Sequence, residues 1–139
     1  MKDVRPALRS LLLADPTVNG MVGGTRIYPI VMPQGMRSPS VVYQRITGTY
    51  LYGMDGSAGV QQNTIQFDSI AESADAATNL ANAVHDVLAG FKGQVSYGSN
   101  SPQGFVVFQG MFRTNERDLY DGVTQLFRIS RDFAIWFVE

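Results

Sequence analysis

Apolar positions follow two rhythms along the chain. In residues 4–14, Val4, Leu8, Leu11 and Leu12 fall on one side of a 3.6-residue repeat, while Arg5 and Arg9 fall on the other, which predicts a helix. Asp3 is placed to cap it, and Pro6 is tolerated in the first turn, where its missing N–H has no intrahelical partner. Asp15-Pro16 ends that helix and can open one further turn that closes at Gly20, before Gly23-Gly24 breaks the chain. From Arg26 the rhythm changes. Residues 26–28 read as a short extended segment ended by Pro29, and Pro29, Pro33, Gly35 and Pro39 make a loop up to Ser40. Residues 41–51 and 60–71 are strand candidates rich in β-branched and aromatic side chains. The glycine-rich stretch 52–59 between them is a hairpin tip longer than the minimal turn.

Residues 73–88 return to helical spacing. Ala77, Leu80, Ala81, Val84, Val87 and Leu88 form one stripe, and Glu72, Asp75, Asn79, Asn82 and Asp86 form the opposite one. Ser73 is a natural N-cap, Asp75 opposes the positive end of the helix dipole, and Gly90 and Gly93 stop the helix. Residues 94–104 read as a polar loop, 105–114 as a strand and 115–122 as a charged connection. Residues 124–138 read as the longest strand, with Phe127, Ile129, Phe133, Ile135 and Phe137 on one face. Its second half is apolar on both faces, which predicts cover on both sides, and its length predicts a bulge or bend. The expected architecture is α+β: an antiparallel or mixed sheet of about four to five strands with two main helices packed on one face, in one domain spanning residues 1–139.

Composition narrows the function. At 139 residues, with 45% apolar and 17% charged positions, the chain can bury a core without a covalent staple. The formal net charge of -1 argues against strong nucleic-acid binding through bulk charge. Nine of the eleven basic residues are arginine, the residue best suited to polar interfaces. The absence of cysteine excludes disulfides and thiolate metal sites, and no secretory signal or membrane-spanning apolar run is visible.

Motifs for chemistry are weak. His85 is the only histidine and lies beside the apolar stripe, without partners that would make it a ligand or a general base. Asp55-Gly56-Ser57-Ala58-Gly59 superficially resembles a nucleophile elbow, but an aspartate stands where the first glycine belongs and the stretch sits in a hairpin tip. Gly20, Gly23 and Gly24 lack phosphate-loop spacing. Glu116, Asp118 and Asp121 fit no calcium loop and read as a solvated segment. No catalytic, cofactor-binding or metal residue is assigned, and no cofactor is expected. The hairpin tip is the more informative feature, because Tyr50, Leu51, Tyr52 and Met54 put large apolar groups beside Asp55 on a glycine-flanked loop. With Arg113, Arg117 and Arg128 they form the candidate interface set.

Several stretches, in order, resemble the tail-completion, or tail-terminator, family of siphophages. They are Arg26-Ile27-Tyr28-Pro29, Pro33-Gln34-Gly35, and the run from Pro39-Ser40-Val41 through Tyr43-Gln44-Arg45-Ile46-Thr47-Gly48. The strand Thr64-Ile65-Gln66-Phe67-Asp68 before an alanine-rich helix, and the closing strand Arg128-Ile129-Ser130-Arg131-Asp132-Phe133-Ala134-Ile135-Trp136, fit the same pattern. The resemblance implies a non-enzymatic virion protein: a ring, usually a hexamer, at the head-proximal end of the tail tube. It implies contacts with copies of itself, with the tube protein and with a head-completion or connector protein, with DNA as passing cargo and no membrane. Alternatives are another neck connector, a tube subunit, a small host binding module or a hydrolase.

Overall fold

The computed structural model describes residues 4–30, 39–54, 56–97, 104–123 and 125–138. The elements run α1 (Arg5–Ala14), α2 (Pro16–Met21), β1 (Ile27–Pro29), β2 (Ser40–Gly53), β3 (Gly56–Ala71), α3 (Ala74–Leu88), β4 (Gly93–Tyr97), β5 (Gly104–Asp121) and β6 (Leu126–Val138). The strands form one sheet in the order β1-β2-β3-β6-β5-β4. β1 lies parallel to β2, and every other pairing is antiparallel.

Local chemistry sets the helix ends. The Asp15 carboxylate accepts from the Val18 N–H at 3.1 Å and caps α2 behind Pro16. The Ser73 hydroxyl accepts from the Ala76 N–H at 3.1 Å and caps α3. After α3 the chain turns at Gly90, whose φ of +75° is one that L side chains rarely adopt. Arg9 reaches off α1 to donate to the carbonyls of Ile27 and Thr25, tying the first helix to β1.

Alternation along the strands builds the core on one face. Ile65 and Phe67 of β3, Phe133, Ile135 and Phe137 of β6, and Val106, Phe108 and Met111 of β5 are buried there. Leu8 and Leu12 of α1 and Leu80, Val84 and Leu88 of α3 pack in the same cluster. Phe67 and Phe133 meet edge to face at 5.7 Å and 82°, a geometry that the ring quadrupoles favour. Burying each such large side chain contributes roughly 1.5–3 kcal/mol. Further along α3, Ala77 and Ala81 pack on Ala71 and Ile129. Methyl-sized side chains let the helix approach the sheet closely at that end.

The structure departs from the sequence expectation in several places. Its sheet has six strands among the described residues, not four to five, and the single turn after Asp15 is a third helix. β4 lies in the stretch read as a polar loop. Only Val95 is buried, with Tyr97 partly buried against the core and Gln94 and Ser96 exposed, too little for periodicity to register. The charged connection at 115–122 is mostly strand, because β5 continues to Asp121 in register with β6. That makes β5, at 18 residues, the longest strand, while β6 has 13. The irregularities expected in β6 occur in other strands instead, as register shifts in β5 between Phe108/Gly110 and Arg113/Asn115, and in β2 between Arg45/Thr47 and Tyr50/Tyr52. The second face of β6 is only partly covered, since Ala134, Trp136 and Val138 are half-buried.

Candidate assembly surface

β5 supplies the most exposed regular structure in the described chain. Its outer neighbour β4 pairs only with Gly104–Phe108. The Gly90 N–H then takes the Met111 carbonyl at 2.9 Å, and from residue 112 to 121 every side chain is exposed. Phe112, Leu119 and Tyr120 are each about half exposed on this stretch, at 57%, 47% and 55%, and Val123 stands at its tip. Large apolar groups along an uncovered strand edge are uncommon on a protein that works alone. Reading residues 115–122 as a charged connection hid Leu119 and Tyr120, whereas Phe112 falls in the strand read at 105–114. The available signal was the spacing of Phe112, Leu119 and Tyr120 among charges at strand length.

Cross-strand pairing separates the charges of β5 onto two faces. On the helix face Glu116 stands opposite Arg131 of β6. Arg131 is buried at 7% exposure. It donates to one Glu116 carboxylate oxygen from Nε at 3.0 Å and Nη2 at 2.8 Å, and to Asn82 of α3 at 3.0 Å. Arg113 adds a longer contact to Glu116 at 3.7 Å. The Arg131 hydrogen bonds hold the Glu116 carboxyl below the usual carboxylate range, helped by the charges of Arg131, Arg113 and His85 and opposed by desolvation.

On the opposite face, Arg117 donates to the Gln66 amide oxygen at 3.1 Å and lies 3.9 Å from Asp132. Arg128 pairs with the buried Asp68 at 3.4 Å. Gln66 in turn donates to Asp68 at 2.9 Å. The three arginines of the candidate set are thus brought to the β5–β6 hairpin, each beside a carboxylate of its own chain. The other candidates belong to the β2–β3 hairpin, at the opposite end of the sheet. There Met54 is fully exposed at the turn, whereas Asp55 and the side chains of Tyr50, Leu51 and Tyr52 lie outside the described residues. The two groups therefore do not form one patch.

The grooves that exist are open and poorly furnished for chemistry. One mainly apolar groove, about 380 Å³, lies between α1, α2 and α3 and is lined by Leu11, Ala14, Asp15, Ala83, Val87 and Phe91 among others. His85 rests against the Phe133 ring at 6.1 Å, with Nδ1 3.7 Å from Asp86. Among the described residues no group of three His, Cys, Asp or Glu side chains could hold a metal ion. No described helix is long and apolar enough to cross a membrane.

Comparison with known proteins gives this surface its context. No curated protein matches the chain at a significant level. Among solved structures, a chain of the virion of a native gene transfer agent particle superposes with a TM-score of 0.67 at 19% identity, covering 95% of this chain and 92% of that one. At that identity the likeness speaks for the fold. The family described as tail completion protein gp17 matches residues 6–138. The chain therefore belongs to the tail completion protein gp17 family, whose members are structural, non-enzymatic proteins of the phage virion tail.

Proposed function

We propose that this chain forms a hexameric ring that caps the head-proximal end of the phage tail tube, ends tube polymerisation and offers the docking surface for the filled head. The observation that carries the reading is the exposed, apolar-studded outer stretch of β5 on a chain that belongs to a tail completion family. A ring built head to tail needs two different surfaces per copy. The β5–β6 hairpin with Arg113, Arg117 and Arg128 supplies one candidate. The β2–β3 hairpin with Tyr50, Leu51, Tyr52, Met54 and Asp55 supplies another candidate contact, to the tube protein, the head connector or the next copy. The whole of residues 1–139 acts as one unit in this reading. DNA crosses the lumen as cargo, which suits a chain with a formal net charge of -1.

Deletion of the gene tests the role. The expected lysate holds filled heads beside separate tails of abnormal length or with ends that cannot join, and a plasmid copy restores joined particles. Intact infectious particles without the gene would end the proposal. Sedimentation and negative-stain imaging of the purified protein separate it from a tube subunit, which would grow into filaments. A neck connector would instead leave tails of normal length with closed ends.

A further inference from the structure

We infer that the copy-to-copy contact is made by strand edges, with residues 112–121 of β5 in one copy pairing antiparallel with residues 44–53 of β2 in the next. The inference rests on the ring reading above and names both of its surfaces.

Among the described residues, both edges are paired over a short stretch at one end. β1 covers β2 only at Val41, Val42 and Tyr43, and the Ile30 N–H takes the Tyr43 carbonyl at 2.8 Å. β4 covers β5 only through Phe108, and the Gly90 N–H takes the Met111 carbonyl. Beyond these points, no strand among the described residues pairs with the outer side of residues 44–53 or 112–121. The two open stretches are equal in length, and neither contains proline or lysine, two common guards of sheet edges. At least three of the five charges on the β5 stretch are paired within the chain: Arg113 and Arg131 meet Glu116, and Arg117 meets Asp132. An incoming strand therefore meets an edge whose arginines already have carboxylate partners.

Strand direction selects the occupant. β2, β3, β6 and β5 alternate, each antiparallel to the next, so β5 runs opposite to β2. A copy related by rotation about an axis near the strand direction keeps its own strand directions. Its β2 therefore meets β5 antiparallel, and the alternation continues from copy to copy. Pairing of β5 with β5 about a two-fold axis would leave both β2 edges open and close the assembly at a dimer.

The levels of the two edges agree with closure. The middle of the open β2 stretch, Gly48–Thr49, pairs with Asn63 and Gln62, which pair with Ile135 and Trp136. The middle of the open β5 stretch, Glu116–Arg117, pairs with Arg131 and Ser130. On β6 these levels are five residues apart, or about 17 Å at roughly 3.3 Å per residue. A closed sheet of tilted strands requires a stagger from copy to copy. Four strands about 4.8 Å apart, tilted about 35–45°, require roughly 13–19 Å. Phe112 and Leu119 on one face, Tyr120 on the other, and Ile46 at the β2 bulge supply exposed apolar groups to flank the new pairing.

The lack of native cysteine makes the test direct. Thr49 and Asn115 are exposed and lie on the same face of the sheet. Thr49→Cys, Asn115→Cys and the double variant are placed in the phage gene, and purified tails are treated with a bismaleimide of about 10 Å reach, which tolerates a one-step error in register. The double variant should give a cross-linked ladder ending at the ring, and neither single variant should cross-link. Thr47→Cys with Leu119→Cys repeats the test one step away, and circular dichroism of each purified variant confirms folding. Rings visible on tails but no ladder from either pair would overturn the edge pairing and leave the ring reading intact. A covalent dimer from Asn115→Cys alone would overturn it in favour of a two-fold contact. Tails bearing no ring of this protein would remove the ring reading, and the inference with it.

Discussion

Arg131 is the residue whose substitution separates packing from charge. It occupies a core-facing position of β6 between Ile129 and Phe133, yet it carries a guanidinium fastened to Glu116 and Asn82. Removing the partner and removing the cation should therefore differ. Glu116→Ala deletes two charge-assisted hydrogen bonds and leaves a cation at 7% exposure, whose Nη1 already lacks a partner. Such bonds contribute about 1.5–3 kcal/mol when shielded. The Glu116 side chain is 41% exposed, so water recovers part of the loss and the expected cost is about 1–1.5 kcal/mol. Arg131→Met keeps a long apolar stem between its neighbours and releases Glu116 and Asn82 to solvent. A buried ion pair replaced by an apolar side chain is often neutral, so this variant should stay within about 1 kcal/mol of wild type. The double variant should match Arg131→Met alone, giving a coupling of about 1 kcal/mol.

Urea unfolding followed by circular dichroism measures all four proteins, with the denaturant slope unchanged across the set. The pH dependence has a definite sign. The folded-state pKa of Glu116 is depressed, chiefly by the Arg131 hydrogen bonds. Its stabilisation is complete above the ordinary glutamate value, about pH 4.3, and fades as pH falls through the folded value. The gap between wild type and Glu116→Ala should hold at neutral pH and narrow in acid. A silent Glu116→Ala beside an Arg131→Met that loses about 3 kcal/mol or more would refute the reasoning and assign Arg131 a packing role.

Three further outcomes are expected. Phe133→Ala empties a fully buried position in edge-to-face contact with Phe67 and should cost about 3–5 kcal/mol, read as a large fall in the urea midpoint or as protein that fails to fold. Ser73→Ala removes the cap of α3 and should cost about 1 kcal/mol, with a small drop in midpoint and no change in particle joining. Leu119→Asp changes an exposed side chain on the open edge and should leave the midpoint within about 0.5 kcal/mol while lowering the yield of joined particles at least tenfold. Normal yield would remove that edge from the assembly surface.

Strong periodicity made the helices legible. Ser73 and the Ala77 to Leu88 stripe mark α3 correctly, and Asp15-Pro16 marks the junction of α1 and α2. The inward face of β6 was equally plain, apart from Arg131. An arginine at a core position carries no sign in the sequence of the Glu116 and Asn82 that receive it. β4 and the outer half of β5 were lost for opposite reasons. β4 has one buried side chain, so it leaves almost no pattern. The outer half of β5 has none, so its alternation is of charge and exposed apolar groups, which reads as a loop until β6 is seen beside it. Tip residues such as Met54 are legible as exposed, but a single chain does not display what an exposed side chain meets. Arg113, Arg117 and Arg128 illustrate the limit. Their enrichment pointed to polar interfaces, and the carboxylates and amide beside them lie on β3, β5 and β6 of the same chain.

The two faces of the sheet differ in cover. The helix face holds the apolar cluster, with α1, α2 and α3 all packed on it, while the opposite face carries Gln62, Thr64, Gln66, Asp68, Ser130 and Asp132 beside Phe112, Leu119 and Trp136. In the ring proposed above, the helix layer would need the larger perimeter and so take the outside, which would turn the opposite face toward the lumen. Repetition multiplies whatever charge stands there, since one free arginine per copy becomes a full circle of cations. Each phosphate neutralised by such a circle would add to the retention of a passing duplex. Arg117 beside Asp132 and Arg128 beside Asp68 carry their counter-charges in the same chain. If the ring forms as proposed, the pairs that hold these arginines would also lower the charge of the inner wall.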